Sequence, residues 1–573
     1  MLKGFSVLLP RPPIGLPGLL ATGAPLVLGL VIVFPLLVLM ANSFNISQPD
    51  QPSAYGTQNW VRAFGDAKTL NSLWNSFALG IARTAIGLVI ALGFAWLIAR
   101  TDMPGSPVFE LLFWLTVFLP SLPLTLGWIL LLDPSYGLVN STLQKLPFVQ
   151  GNLFNVYSFW GIVWVHLASH TVGIMAVLLL PAFRRLDASL EEASRIAGAS
   201  QLTTIVRVLV PLFAPAVLAV AVLAFVRSLE TFEVELLLGI PAGIYVYATR
   251  IYDLTRDEPP RFGEATALAF IFLLVLLTLG VLYQWYVRRK TFTTVTGRGY
   301  SSNRLPLGRW KWVATGGSLL YFGVTLAGPL ILLVSGSFMR RYGYFDIPNP
   351  YTLRHWQNLF GDPVFWVSLR NSLVIASAVT LVVIPLYSTV AYAIVRRPSR
   401  ATLATDIFMW VPWAVPGILL SLGMLWLFLA TPLRTLLYGS LFGIIVAMVL
   451  KDSPLATLFF KAAYYQIGKE LEESSHMSGA GWFHTYLRIL VPMLVPTAMT
   501  IGLLVFLSSI RDISTPVLLY SADSRPLSLL LLEYSFGREL ERATAVGALM
   551  SGFVLLVAVA ARYLGFRASH DHV

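Results

Sequence analysis

Along this chain, apolar residues come in long unbroken runs and polar residues gather in short clusters between them. About twelve of the runs are long enough to cross a hydrocarbon core of about 30 Å as helices, which takes about 20 residues each. They lie at roughly 19–41, 75–99, 109–132, 157–182, 206–228, 263–287, 312–336, 370–394, 404–430, 440–463, 488–510 and 543–565. The pattern predicts an all-α integral membrane protein. One polar stretch has helical order of its own: Leu186, Leu190, Ala193 and Ala197 share one helical face, and Ser189 and Glu192 have the spacing of a capping box.

That stretch occurs twice. Leu186 to Pro215, LDASLEEASRIAGASQLTTIVRVLVPLFAP, returns at Ile467 to Pro496 as IGKELEESSHMSGAGWFHTYLRILVPMLVP. Glu191, Glu192, Gly198, Arg207, Pro211 and Pro215 fall opposite Glu472, Glu473, Gly479, Arg488, Pro492 and Pro496 at one constant offset of about 280 residues. Trp60, Phe64, Gly65, Asp66, Asn75 and Ser76 are matched likewise by Trp356, Phe360, Gly361, Asp362, Asn371 and Ser372. An internal duplication explains both sets. It divides the chain into a first repeat, 1–297, with its polar loop near 183–205, and a second, 298–573, with its loop near 464–487. An even number of crossings separates the two loops, so the halves have the same orientation and form parallel six-helix repeats.

Composition sharpens this picture. Of 573 residues, 56% are hydrophobic and 12% charged, against roughly 25% charged in soluble domains. The net charge of +12 would fit a nucleic-acid binder, but its positive residues sit in short loops beside the spans. Arg288, Arg289, Lys290, Arg298, Arg304, Arg309 and Lys311 crowd one connection, and Arg396, Arg397 and Arg400 another. This is the positive-inside pattern, so these loops and the two repeated ones are expected in the cytoplasm, with no nucleic-acid partner. The chain has no cysteine, which excludes disulfides and thiolate metal sites. The first apolar run, preceded by Lys3 and Arg11, is long for a signal peptide and is expected to be a retained span.

The repeated loops resemble the EAA-x3-G-x9-I-x-L-P signature of inner-membrane permease subunits of binding-protein-dependent ABC importers. The first copy has Glu192-Ala193-Ser194, Gly198, Val208, Val210 and Pro211; the second has Glu473-Ser474-Ser475, Gly479, Ile489, Val491 and Pro492. The resemblance implies a type I importer permease fold in the bacterial inner membrane. It makes each loop a coupling helix docked in an ATPase subunit, carried by Glu191, Glu192, Ala193 and Gly198 in one copy and by Glu472, Glu473, Ser474 and Gly479 in the other. It further implies two copies of that ATPase, which bind ATP and Mg, and a periplasmic substrate-binding protein. The chain itself shows no G-x4-G-K-[ST] phosphate loop, so hydrolysis belongs to a partner and this subunit is not expected to be an enzyme.

The segment SLETFEVELLLGIPAGIYVYATRIYD, which contains Glu230, Glu233 and Glu235, resembles the ferric-iron permeases within that family. Glu230 and Glu233, with Arg511 and Asp512 at the equivalent place in the second half, are candidates for the outer mouth of the translocation path. The other reading of these charges is simple solvation at the interface. Thiamine, phosphonate and polyamine importers share the architecture and remain open as alternatives. His166 and His170 lie one helical turn apart inside a span, where ionisable groups either serve function or bond between helices; no metal site is assigned to them. Pro120, Pro123, Pro412 and Pro416 fall in corresponding third and ninth runs, either as kinks without other meaning or as broken helices with a gating role. An ion-coupled secondary transporter and a membrane metalloenzyme are the rival classes; the first leaves two matched loops on one face unexplained, and the second needs inward-facing ligands beyond His166 and His170 that the sequence does not assemble.

Overall fold

The computed structural model describes residues 16–47, 54–184, 210–289, 305–432 and 434–570, with isolated positions between 194 and 207. Among the described residues the architecture is helical, and the only extended pairings are isolated bridges. Among the described residues eight helices are long and apolar enough to cross a membrane, and up to eleven spans result if each sharply bent pair counts as one. At the place of the expected fifth span lies the apolar helix Val210–Leu229, 20 residues long.

Two of the bent pairs fall in the proline-bearing runs 109–132 and 404–430, each of which hydropathy alone reads as one span. Ser106–Phe118 and Ser121–Leu132 meet at 104°, and Arg400–Trp413 and Gly417–Ala430 at 113°. The cause is local. Proline disfavours helical backbone in the residue before it, and Leu119, before Pro120, is extended at φ −63°, ψ 141°. Pro120 and Pro416 then stand as the residues that open the second helix of each pair. A third, milder bend of 48° separates Leu441–Lys451 from Ser453–Gln466.

The helices gather into two compact units, and neither coincides with one half of the sequence. The first unit is drawn from residues 1–62, 260–273 and 364–530. In it the Leu16–Ser43 helix packs along the Arg400–Trp410 and Gly417–Ala430 helices, with Gly29 against the Phe408 side chain and Gly423 against the Pro35 backbone. The second unit is drawn from 63–259, 274–363 and 531–573. There the Gly328–Phe338 helix packs on Ser121–Leu132 and Leu540–His570. A Cβ placed on Gly127 would lie 2.1 Å from the Pro329 carbonyl oxygen, so this approach of two backbones requires glycine.

Within each unit the repeated Asn-Ser pair does the same work. Asn75 donates to the Tyr245 carbonyl at 3.0 Å, and Ser76 Oγ accepts the Tyr247 amide at 2.9 Å. In the other unit Asn371 donates to the Asp523 and Arg525 carbonyls at 2.8 and 3.1 Å, and Ser372 Oγ accepts the Leu527 amide at 2.7 Å. Tyr247 and Leu527 each begin a helix, so the serine satisfies an amide that has no partner inside its own helix. The long helices Ala67–Arg100 and Pro363–Arg396 thereby hold the segments that follow the fifth and eleventh spans.

Candidate functional sites

The second repeated loop is described throughout. Lys469 opens a short helix, Glu470–Met477, that three glutamates in its first turn favour through the helix dipole. It ends in a Schellman arrangement: the Gly479 amide donates to the His476 carbonyl at 2.9 Å, and the Ala480 amide reaches back to Ser475 at 3.1 Å. Gly479 sits at φ +83°, a left-handed backbone that only glycine adopts freely. Glu472 is the root of the loop. It is 8% exposed, and its carboxylate accepts from Arg396 Nε at 2.6 Å and from the Tyr392 hydroxyl at 2.9 Å. Arg396 also donates to the Ile467 carbonyl at 2.7 Å. Tyr392 lies among the rings of Tyr464, Trp482 and Tyr486.

Roles on the loop therefore divide. Glu472 faces inward and fastens the loop to the end of Pro363–Arg396, whereas Glu473, Ser474 and Gly479 are exposed. With them Leu471, Met477 and Phe483 present apolar side chains outward, Met477 at 89%. In the first copy Glu191, Glu192 and Ala193 lie outside the described residues. Gly198 is described, exposed and at φ +82°, the counterpart of Gly479.

A second constellation is buried. Arg83, alone among the apolar residues of its helix turn, donates to Glu235 Oε1 at 2.8 Å and to Thr231 Oγ1 at 3.0 Å, and bonds the Ser228 carbonyl. His166 Nε2 is 2.9 Å from the same carboxylate oxygen, and Thr231 donates to it at 2.7 Å. Glu235 and Arg83 are 0% and 1% exposed, so each charge depends on the other for what water would supply. Glu235 begins a π-helical turn, Glu235–Gly239. His170 bonds the Leu119 carbonyl at 2.8 Å instead, so the two histidines of one face serve different partners.

The candidate mouth residues take several places. Glu230 is paired at 2.7 Å with Arg227, one turn earlier, and Glu233 is half-buried. Asp512 is buried, bonded to Lys451 at 2.6 Å and to Ser514 at 3.1 Å; Arg511 is half-buried at the end of its helix. Asp512 is thus a packed counter-ion. Three partners escaped sequence reasoning: Arg83, Arg396 and Lys451. For Arg83 a signal was present, since a lone arginine deep in an apolar run requires a buried acid.

Long apolar helices, sharply bent helix pairs at matching prolines and Asn-Ser anchors repeated in the two units define a many-span helical membrane protein built on an internal duplication. The chain belongs to the family of binding-protein-dependent transport system inner membrane components, whose model matches it twice, over residues 84–292 and 365–570. Among curated relatives, it is 26% identical over 504 residues to a putative ferric transport system permease protein FbpB 1 of Haemophilus influenzae, covering 86% of this chain and 76% of that one. It is 25% identical to the ferric transport system permease protein FbpB of Actinobacillus pleuropneumoniae, covering 92% and 75%. A multiple sugar-binding transport system permease protein of Streptococcus mutans matches 40% of this chain and 81% of its own length at 28% identity. This chain is therefore a multi-pass inner-membrane permease of a binding-protein-dependent ABC importer.

Proposed function

We propose that the importer moves ferric iron, delivered by a soluble periplasmic binding protein, and that two copies of an ATPase subunit drive it through the two repeated loops. The observation that carries the coupling part is the geometry of Glu470–Met477: a root fixed by Glu472, Arg396 and Tyr392, and a tip exposing Leu471, Met477 and Phe483. A rigid root with an apolar, exposed tip transmits a push from a docked partner into the Pro363–Arg396 helix. ATP and Mg belong to that partner. What supports iron is the name given to relatives that match most of the chain, together with the resemblance around Glu230–Asp253. Glu230, Glu233, Arg511 and Asp512 then border the path, with Asp512 and Lys451 holding its wall in place.

The test is ATPase stimulation in liposomes containing this chain, its co-purified ATPase and its binding protein. Ferric iron is compared with thiamine, a phosphonate, a polyamine and a sugar. Stimulation by ferric iron alone is expected. Stimulation by another ligand would overturn the iron assignment and leave the coupling scheme standing; a chain that recruits no ATPase would overturn the coupling scheme.

A further inference from the structure

The second unit carries a cleft of about 500 Å³ at the end of the Trp310–Phe338 span, the end opposite the basic 288–311 connection. With that connection in the cytoplasm, the cleft faces outward. Arg340, Arg354, Arg538 and Arg542 line it, along with Glu539 and Glu541.

The two carboxylates are already engaged. Glu539 pairs with Arg542 at 2.8 Å, and Glu541 accepts the Tyr342 amide at 2.8 Å. Tyr342 in turn bonds the Leu126 carbonyl at 2.7 Å. No ion pair involves Arg340, Arg354 or Arg538 among the described residues. Three guanidiniums without an ion pair among the described residues therefore converge on one concave space. Arg341, next to Arg340, lies over the Tyr344 ring at 4.4 Å and is not part of the lining.

Arg538 stands at φ +61°, the left-handed position that closes the Leu527–Phe536 helix, where the Glu539 amide reaches back to Tyr534 at 3.1 Å; Gly or Asn would occupy it with less strain. The duplication offers an internal control. The shared Ala-Thr-Ala at 265–267 and 543–545 aligns Arg261 and Glu264 with Glu539 and Arg542, and Trp60 with Trp356 aligns Gln58 with Arg354. The same scaffold without this arginine cluster folds in the first half, so the cluster is not a requirement of the fold.

We propose that this cleft binds a small, multiply charged oxyanion bearing carboxylate or phosphate groups. Its volume lies in the range of small-molecule sites. Planar guanidiniums meet such groups through paired hydrogen bonds, and four of them against two carboxylates leave two net positive charges. The proposal does not depend on which cargo the importer carries.

The test uses the full chain in nanodiscs of neutral lipid, titrated calorimetrically with citrate and with inorganic phosphate, and with glucose as an uncharged control. Saturable citrate or phosphate binding is expected, weakened about tenfold or more in Arg354→Gln and in Arg538→Asn. Asn is chosen at 538 because it tolerates the left-handed backbone; Arg354→Gln, on an exposed helix face, provides an independent variant. Arg341→Gln is expected to bind as the parent does. Repeating the titration in phosphatidylglycerol nanodiscs separates the two sources of such groups. Loss of citrate binding there, with lipid retained by the parent chain and not by the variants in native mass spectrometry, assigns the site to a headgroup; undiminished citrate binding assigns it to a soluble anion. Absence of saturable binding to both anions in neutral lipid, or equal affinity in both variants and parent, would overturn the proposal, as would a cleft that retains only the binding protein.

Discussion

The guanidinium of Arg83 and the carboxylate of Glu235 meet at 2.8 Å although 152 residues separate them in the chain. Both are buried, and His166 and Thr231 complete the shell around the shared oxygen. Removing one member leaves the other charged and unsolvated, which costs about 3–5 kcal/mol. Glu235→Gln and Arg83→Gln are each expected to lower the unfolding transition of the detergent-solubilised chain sharply. The double variant Arg83→Met, Glu235→Leu should recover most of that loss. Single variants as stable as the parent would show that the pair contributes little.

At the loop, Glu472 and Glu473 are neighbours with opposite surroundings. Glu472→Ala removes two charge-assisted hydrogen bonds from the root, each worth about 1.5–3 kcal/mol, and is expected to reduce ATP-driven uptake while the ATPase still co-purifies. Glu473→Ala leaves the root intact and should weaken ATPase retention instead. Identical phenotypes for the two would contradict this division, and co-purification measured beside uptake decides it.

Gly479 gives a more local prediction. Replacing it with Ala places a Cβ on a backbone at φ +83° and should cost roughly 1–2 kcal/mol in the loop, with Asn at the same position costing less. Hydrogen exchange over 470–485 is the readout, and unchanged protection in Gly479→Ala would refute it. Gly127→Ala tests a different constraint, the contact with Pro329. Overpacking there should lower stability by about 1–3 kcal/mol, measured as a shift in thermal unfolding.

Asp66 sets a pH dependence. Partial burial raises its pKa, but the hydrogen bond from the Lys68 amide and the Arg250 guanidinium together outweigh burial and hold it below the usual carboxylate range. An acid whose native pKa is depressed stabilises fully above its unfolded value of about 4 and loses that contribution as pH falls through the lower native value. Asp66→Asn is therefore expected to destabilise the chain at pH 7, by a margin that shrinks as pH falls below about 4. Thermal unfolding on either side of that value checks the sign.

The sequence pattern revealed the helical class, the duplication and the described second loop because each rests on local chemistry: apolar runs, repeated text, a glycine at a turn; the capping box of Ser189 and Glu192 lies outside the described residues. Asn75-Ser76 and Asn371-Ser372 stood out for the same reason, as a repeated pair whose shared bonding the fold then explained. What stayed hidden depends on distant partners. Nothing near Arg396 indicates that it meets Glu472, and nothing near Lys451 indicates Asp512. The bends at Pro120 and Pro416 were foreseeable at the prolines, but hydropathy alone drew unbroken spans across them, since an apolar run reads alike whether its helix is straight or folded back.

The Leu16–Ser43 helix packs on helices that begin at Arg400 and Gly417. A ribosome adds about 5–20 residues each second, so the partners of this helix are made some 20–70 s after the helix itself has left the tunnel. During that interval its glycine-marked face has only lipid or the insertion machinery to rest on. Assembly of the first unit is therefore a late event in biogenesis, and a chain truncated before Arg400 should leave its own first span an orphan in the membrane.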